Sequence, residues 1–222
     1  MSSKILTYDT QKYPFRKHVT NLLKIISLEQ LHEFALPSDL QYHTKETGDK
    51  TSLHKRFYDQ VKDSAFMDCY ITFIHEIVKP YFGWEIVYQA QPTFRIQFVN
   101  NRAVEPHRDA DYNHPIQELN WWLPVTNTFG TNSIWIESKR GKRDYHPERV
   151  NYGEVLLFSG ADLMHCNKTN DSGITRVSFD FRAMPRTEWV IPTEVKEGLT
   201  FKRKYTIGET DEYYYRETKP CL

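Results

Sequence analysis

Ile174-Thr-Arg-Val-Ser-Phe-Asp-Phe-Arg-Ala183 alternates polar and apolar side chains along its length, and this stretch decides the fold. Successive side chains of an extended chain point to opposite faces. Arg176, Ser178, Asp180 and Arg182 therefore share one face, and Val177, Phe179 and Phe181 the other. An edge strand with one wet face fits this pattern. So does a strand whose apolar face meets helices while its charged face lines a ligand cavity.

Outward from this strand the period of two recurs. Phe94, Ile96 and Phe98 alternate with Arg95 and Gln97, and Gly153-Glu-Val-Leu-Leu-Phe-Ser-Gly160 reads as a buried strand between glycines. About seven or eight short strands are expected between residues 84 and 184, divided by Pro, Gly, Asn and Asp turns. That spacing predicts a mainly β sandwich or barrel of the jelly-roll kind, with helices packed outside.

Upstream the period is helical. Ser27-Leu-Glu-Gln-Leu31 opens with a capping serine and has Glu29 nearby, and apolar residues from Leu53 to Val78 recur at three- and four-residue intervals within Ser52–Tyr81. Pro80 and Gly83 are expected to close that run. The expected organisation is one domain over 1–222: mainly helical support at 1–83, a jelly-roll core at 84–185, and a tail at 186–222. The tail carries Tyr213, Tyr214 and Tyr215 and has no assigned role; the oligomeric state is unread.

Composition excludes several classes. The 222 residues hold 29 basic and 29 acidic groups, so net charge offers no general attraction to nucleic acid or anionic lipid. Mean hydropathy is −0.66, and the apolar stretch Tyr70–Val78 is interrupted by His75 and Glu76, so no membrane span is expected. The first residues lack an apolar signal core. Three scattered cysteines, Cys69, Cys166 and Cys221, suit a reducing cytoplasm better than a disulfide framework.

Three pieces carry chemistry: His107-Arg-Asp109, His165, and Arg176-Val-Ser178. An H-x-D pair in a tight turn after a strand can aim both side chains the same way, and His165 follows the strand at 154–159 by a short turn. Two imidazoles and one carboxylate on one face of a metal leave three positions open, which suits non-haem Fe(II). Arg176 and Ser178, on one strand face, would grip a distal carboxylate. Each piece alone is ordinary: an H-x-D pair is commonly a surface pair or cap, and a lone strand-end histidine is commonly structural. Their order and context give them weight. His146 is set aside, because too few residues separate it from His165 to accommodate the intervening strands.

Glu105-Pro-His-Arg-Asp-Ala-Asp111, Glu118 to Ser138, Tyr152 to Gly160 and His165 to Arg182 together resemble the Fe(II)/2-oxoglutarate-dependent dioxygenases. Within them they resemble the small StrG-like group of streptomycin biosynthesis, related to phytanoyl-CoA-type hydroxylases. The resemblance spans roughly residues 94–185. It implies a cupin-like double-stranded β-helix, with Fe(II) held by His107, Asp109 and His165. Arg176 and Ser178 would anchor the 2-oxoglutarate C5 carboxylate. O2 would then be consumed, succinate and CO2 released, and a small metabolite or sugar-derived substrate hydroxylated. Related halogenases have Ala or Gly in place of the carboxylate ligand, so Asp109 argues against halogenation.

Asn120 and Asn132 are candidates for second contacts to the cosubstrate, as polar residues expected in largely apolar strands. Trp122, Trp135 and Glu137 are candidates for the substrate pocket. Arg182 would meet an acidic substrate group or pair with Asp180. Amino sugars, secondary metabolites or surface-polysaccharide components are the expected substrates, with no nucleic acid or membrane partner. Two other classes stay open: a cupin-type metal-dependent isomerase or epimerase without 2-oxoglutarate, and a non-catalytic carbohydrate-binding jelly roll.

Overall fold

The chain opens with a strand, β1 (Lys4–Thr7), inside the segment read as mainly helical. Four residues are too few for periodicity to reveal, and β1 is held by antiparallel pairing from Lys4 opposite Leu157 to Thr7 opposite Glu154. The computed structural model describes residues 3–40, 51–83, 85–102, 104–112, 114–189, 199–207 and 211–218, the last two stretches by backbone alone. Cys221 lies outside the described residues.

Helices follow: α1 (Phe15–Leu23), α2 (Leu31–Phe34), α3 (Ser52–Gln60), α4 (Ala65–Phe73) and α5 (Lys79–Phe82). Ser27 does not cap α2, which begins four residues later after Gln30. The cap of α3 is Thr51, whose Oγ1 accepts from the His54 amide. The single run expected over Ser52–Tyr81 is broken at 61–64, and Ser64 takes extended backbone before α4.

Pro80 does not end the helix. A π turn at Ile74–Val78 joins α4 to α5, and Pro80 sits in the first turn of α5. Proline lacks an N–H to donate and its ring crowds the carbonyl four residues back, and the widened turn lies where that crowding falls. Gly83 stops the helix at φ +85°, a left-handed conformation glycine adopts without a Cβ penalty.

Among the described residues, eight strands lie between 84 and 185: β2 (Ile86–Gln89), β3 (Thr93–Gln97), β4 (Leu119–Pro124), β5 (Ile134–Ile136), β6 (His146–Glu148), β7 (Glu154–Phe158), β8 (His165–Cys166) and β9 (Arg176–Pro185). The tail adds a hairpin, β10 (Leu199–Ile207) and β11 (Asp211–Thr218), whose first strand pairs with β2. The larger sheet runs β1-β7-β4-β9-β2-β10-β11 with β3 also paired to β9; the smaller runs β6-β5-β8. The architecture is a jelly roll with helices against one face.

β9 is therefore central rather than an edge, and its first nine residues are buried. Its apolar face meets the helices: Phe179 lies edge-on to Phe15 (4.8 Å) and Phe66 (5.1 Å), and Phe181 to Tyr70 (5.1 Å). Phe57 of α3 stacks on Phe94 of β3 at 4.0 Å. Burying one such phenylalanine contributes about 1.5–3 kcal/mol, which ties the helices firmly to the sheet. A second apolar cluster, including Trp122, Ile136, Leu156 and Phe158, lies where the two sheets face each other. Among the described residues no helix is long and apolar enough to cross a membrane.

Candidate metal centre

The charged face of β9, turned away from the helices, looks into a cavity lined by His107, His165, Asn120, Arg176, Asp180 and Arg182 among others. His107 and His165 arrive there as a pair. The His107 amide donates to the His165 carbonyl (3.1 Å) and the His165 amide to the His107 carbonyl (2.9 Å), an isolated antiparallel bridge. Asp109 follows in a 3₁₀ turn, Asp109–Tyr112, and its amide donates to the Gly160 carbonyl (2.8 Å). Backbone bonds thus fix all three positions before any side chain acts.

The side chains then converge. His107 Nε2 lies 3.4 Å and His165 Nε2 3.7 Å from Asp109 Oδ1, and one ligand atom from each of the three lies within 4.8 Å of the others. Cis ligands around an ion with bonds of about 2.1 Å sit about 3 Å apart, so little movement separates this spacing from a coordinated one. His107 Nδ1 lies 2.8 Å from the Glu105 carbonyl and His165 Nδ1 3.0 Å from the Leu163 carbonyl. A carbonyl can only accept, so each Nδ1 carries a proton and each Nε2 is the ring nitrogen turned toward Asp109.

Protonation favours the same role. Burial pushes the Asp109 carboxyl up, but Arg182 and the neighbouring imidazoles outweigh it and hold it well below the carboxylate range. Burial, reinforced by His107, pushes His165 down to about 4. A carboxylate and a neutral imidazole are the forms that bind metal. The donor set and its spacing fit a divalent ion with open positions toward the cavity.

Arg176 is 1% exposed. Its Nη1 donates to the Asn132 carbonyl (3.1 Å), its Nη2 to Asn167 Oδ1 (3.4 Å), and the guanidinium lies 5.6 Å from the Trp122 ring centre. Ser178, two residues on, is fully buried and its Oγ has no hydrogen-bond partner among the described residues.

Other candidates fall elsewhere. Asn132 is not in a strand: it ends the 3₁₀ turn Gly130–Asn132, its Oδ1 accepts from the Phe129 amide (2.7 Å), and only its carbonyl reaches Arg176. Trp135 alternates with Ile134, which lines the cavity, and so points to the other face of β5, where Lys168 lies 3.8 Å over its ring. Glu137 braces loops, accepting from the amides of Met164 (2.8 Å) and Arg143 (3.0 Å). Trp122 does line the cavity.

Arg182 pairs with Asp180, donating through Nη1 to Oδ2 (2.8 Å). Its Nε (3.1 Å) and Nη2 (2.9 Å) donate to Asp109 Oδ2, a contact the sequence did not suggest. Asn120 Nδ2 donates to the same oxygen at 2.8 Å. Asn167, which accepts from Arg176, and Gly160, whose carbonyl accepts from the Asp109 amide, also meet these residues. Asn167 was within reach of the two-residue period, which puts it on the face of His165; Gly160 carried no signal beyond ending a strand.

The chain is a cupin-like jelly roll that brings two imidazoles and a carboxylate together beside one cavity. Solved structures share the fold. EctD from S. alaskensis with 2-oxoglutarate and 5-hydroxyectoine superposes with a TM-score of 0.54 at 14% identity, over 88% of this chain and 77% of EctD. The same protein with bound Fe gives 0.53 at 12% identity, over 88% and 78%. AviO1 from Streptomyces viridochromogenes Tue57 gives 0.50 at 11% identity, over 86% and 93%.

No family model matches the chain. The streptomycin biosynthesis protein StrG of Streptomyces griseus is 35% identical over 208 residues, 92% of this chain and 94% of StrG. The chain belongs to the StrG family.

Proposed function

We propose that this protein is an Fe(II)- and 2-oxoglutarate-dependent oxygenase that hydroxylates a small molecule and releases succinate and CO2. The observation that carries the reading is one cavity holding both a three-donor metal site and a buried arginine, Arg176. The fold it shares with EctD, solved both with Fe and with 2-oxoglutarate, supports it.

Fe(II) with 2-oxoglutarate and O2, when bound, supplies the oxidising chemistry. The rest falls to the chain. His107 Nε2, His165 Nε2 and Asp109 Oδ1 would hold the ion. Arg176 offers a fixed, permanently charged fork to the distal carboxylate of the cosubstrate, and Ser178 Oγ, which has no hydrogen-bond partner among the described residues, adds a donor. Trp122, Ile134 and Phe158 wall the cavity with apolar surface, which strengthens these charge contacts by excluding water.

The substrate is read more coarsely, as a secondary metabolite, amino sugar or polysaccharide component, in keeping with a relative named for streptomycin biosynthesis. Two buried free cysteines, Cys69 and Cys166, support a cytoplasmic setting.

The test is succinate formation by protein supplied with Fe(II), 2-oxoglutarate and O2. Slow substrate-free turnover is expected in the wild type and none in Asp109→Ala. Equal turnover in both would remove these ligands from the account.

A further inference from the structure

Every hydrogen bond to the Asp109 carboxylate from Arg182 and Asn120 ends on one oxygen. Oδ2 accepts from Arg182 Nε, Arg182 Nη2 and Asn120 Nδ2, while Oδ1 alone faces the two imidazole Nε2 atoms. An oxygen accepting three donors has no lone pair left for an ion. We propose that Arg182 and Asn120 are positioning residues that keep Asp109 a one-oxygen ligand, so that the carboxylate does not close over a coordination position. The proposal rests on the reading of His107, Asp109 and His165 as metal ligands.

The clamp has a third member, identified by an absence. Gly160, whose carbonyl accepts from the Asp109 amide, lies so close to Asn120 that a Cβ on it would stand 2.6 Å from Asn120 Oδ1 and 2.7 Å from both Cγ and Nδ2. No real Cβ tolerates such contacts, so one side must yield. The yielding side is the end of the Asn120 side chain, and its movement breaks the bond to Asp109. Gly160 has no left-handed backbone to preserve, so the space for Asn120 is what a methyl group there would remove. Asp180, 2.8 Å from Arg182 Nη1 through its Oδ2, fixes the other donor.

Arg182 is a poor residue to test directly, because its loss leaves two buried carboxylates uncompensated. The pair Asn120 and Gly160 is better. The probe is Co(II), titrated anaerobically into wild type, Asn120→Ala, Gly160→Ala and the double variant, with affinity taken from competition with a chelator and coordination from the visible spectrum. Loss of a group that orients a metal ligand typically weakens binding about 10- to 100-fold. Each single variant is expected to lose affinity in that range and to show the same altered Co(II) spectrum. In the double variant Gly160→Ala is expected to add nothing, since the side chain it displaces is already gone.

If the two losses multiply, or if both variants bind Co(II) as the wild type does with an unchanged spectrum, the clamp is overturned while the metal site stands. If wild-type protein binds no Co(II), the metal reading beneath the proposal is overturned instead. Thermal unfolding of the metal-free variants separates either result from a failure to fold.

Discussion

His107 and His165 exchange both backbone hydrogen bonds, so the two imidazoles are registered by main-chain pairing that does not depend on their side chains. Their rings lie 4.3 Å apart, centre to centre. Replacing one imidazole should therefore empty the site without dismantling it. His107→Ala is expected to keep its circular dichroism and to unfold within a few degrees of metal-free wild type. Its affinity for divalent metal should fall at least about 100-fold. A variant that unfolds outright would make His107 a structural residue.

Ser178 separates a cosubstrate contact from a core role. Its fully buried hydroxyl has no hydrogen-bond partner among the described residues, so none of them is stabilised by it. Removing such a group is close to neutral for folding, whereas deleting a hydrogen bond to a charged group costs about 1.5–3 kcal/mol. Ser178→Ala should leave the melting temperature of metal-free protein unchanged and weaken 2-oxoglutarate binding to the metal-loaded protein about tenfold or more. Calorimetric titration reads the second effect, and equal affinities would dissociate Ser178 from the cosubstrate.

Phe179 joins the sheet to the helices. It is fully buried with Phe15 and Phe66 edge-on against it, and a buried Phe→Ala change typically costs about 3–5 kcal/mol. Phe179→Ala should be strongly destabilised to urea. Phe34, largely exposed on α2, should tolerate Ala with little change.

Cys69 is protected by its surroundings. Burial pushes its thiol up to about 12, and the thiolate is the reactive form. At pH 8.5 iodoacetamide should label Cys69 at least tenfold more slowly in folded than in urea-unfolded protein, read peptide by peptide in a mass spectrometer. Equal rates would show that the thiol is accessible. Cys166, also buried and raised by burial, should follow.

Much of the fold was legible because β9 alternates so strictly. Its two faces do different jobs, one against Phe15 and Phe66, the other in the cavity, and period two records both at once. What stayed hidden was either short or non-local. β1 is four residues held by pairing with β7, and the hairpin of β10 and β11 joins the sheet through only three residues of β2. The π turn before Pro80 inverted the usual meaning of a proline after a helix.

That His107, Asp109 and His165 come together, with Arg176 at the adjoining cavity, was legible from order and strand context. Asn132, Trp135 and Glu137 were misplaced because a turn or a one-residue change of face is decided by neighbours the sequence does not display. The roles of Arg182 and Asn120 toward Asp109 depend on which atom meets which oxygen, and residue spacing carries no such information.

An iron site and an arginine anchor for 2-oxoglutarate at one cavity, as proposed above, would leave a spectroscopic signature. The most direct measurement is the visible spectrum of anaerobic protein given Fe(II) and then 2-oxoglutarate, in wild type and in Arg176→Ala. A weak metal-to-ligand charge-transfer band is expected in the wild type, lost or much weakened in the variant at the same 2-oxoglutarate concentration. No band in wild-type protein shown to hold iron would contradict it, making Arg176 structural and favouring a cupin-type metal enzyme that does not use 2-oxoglutarate.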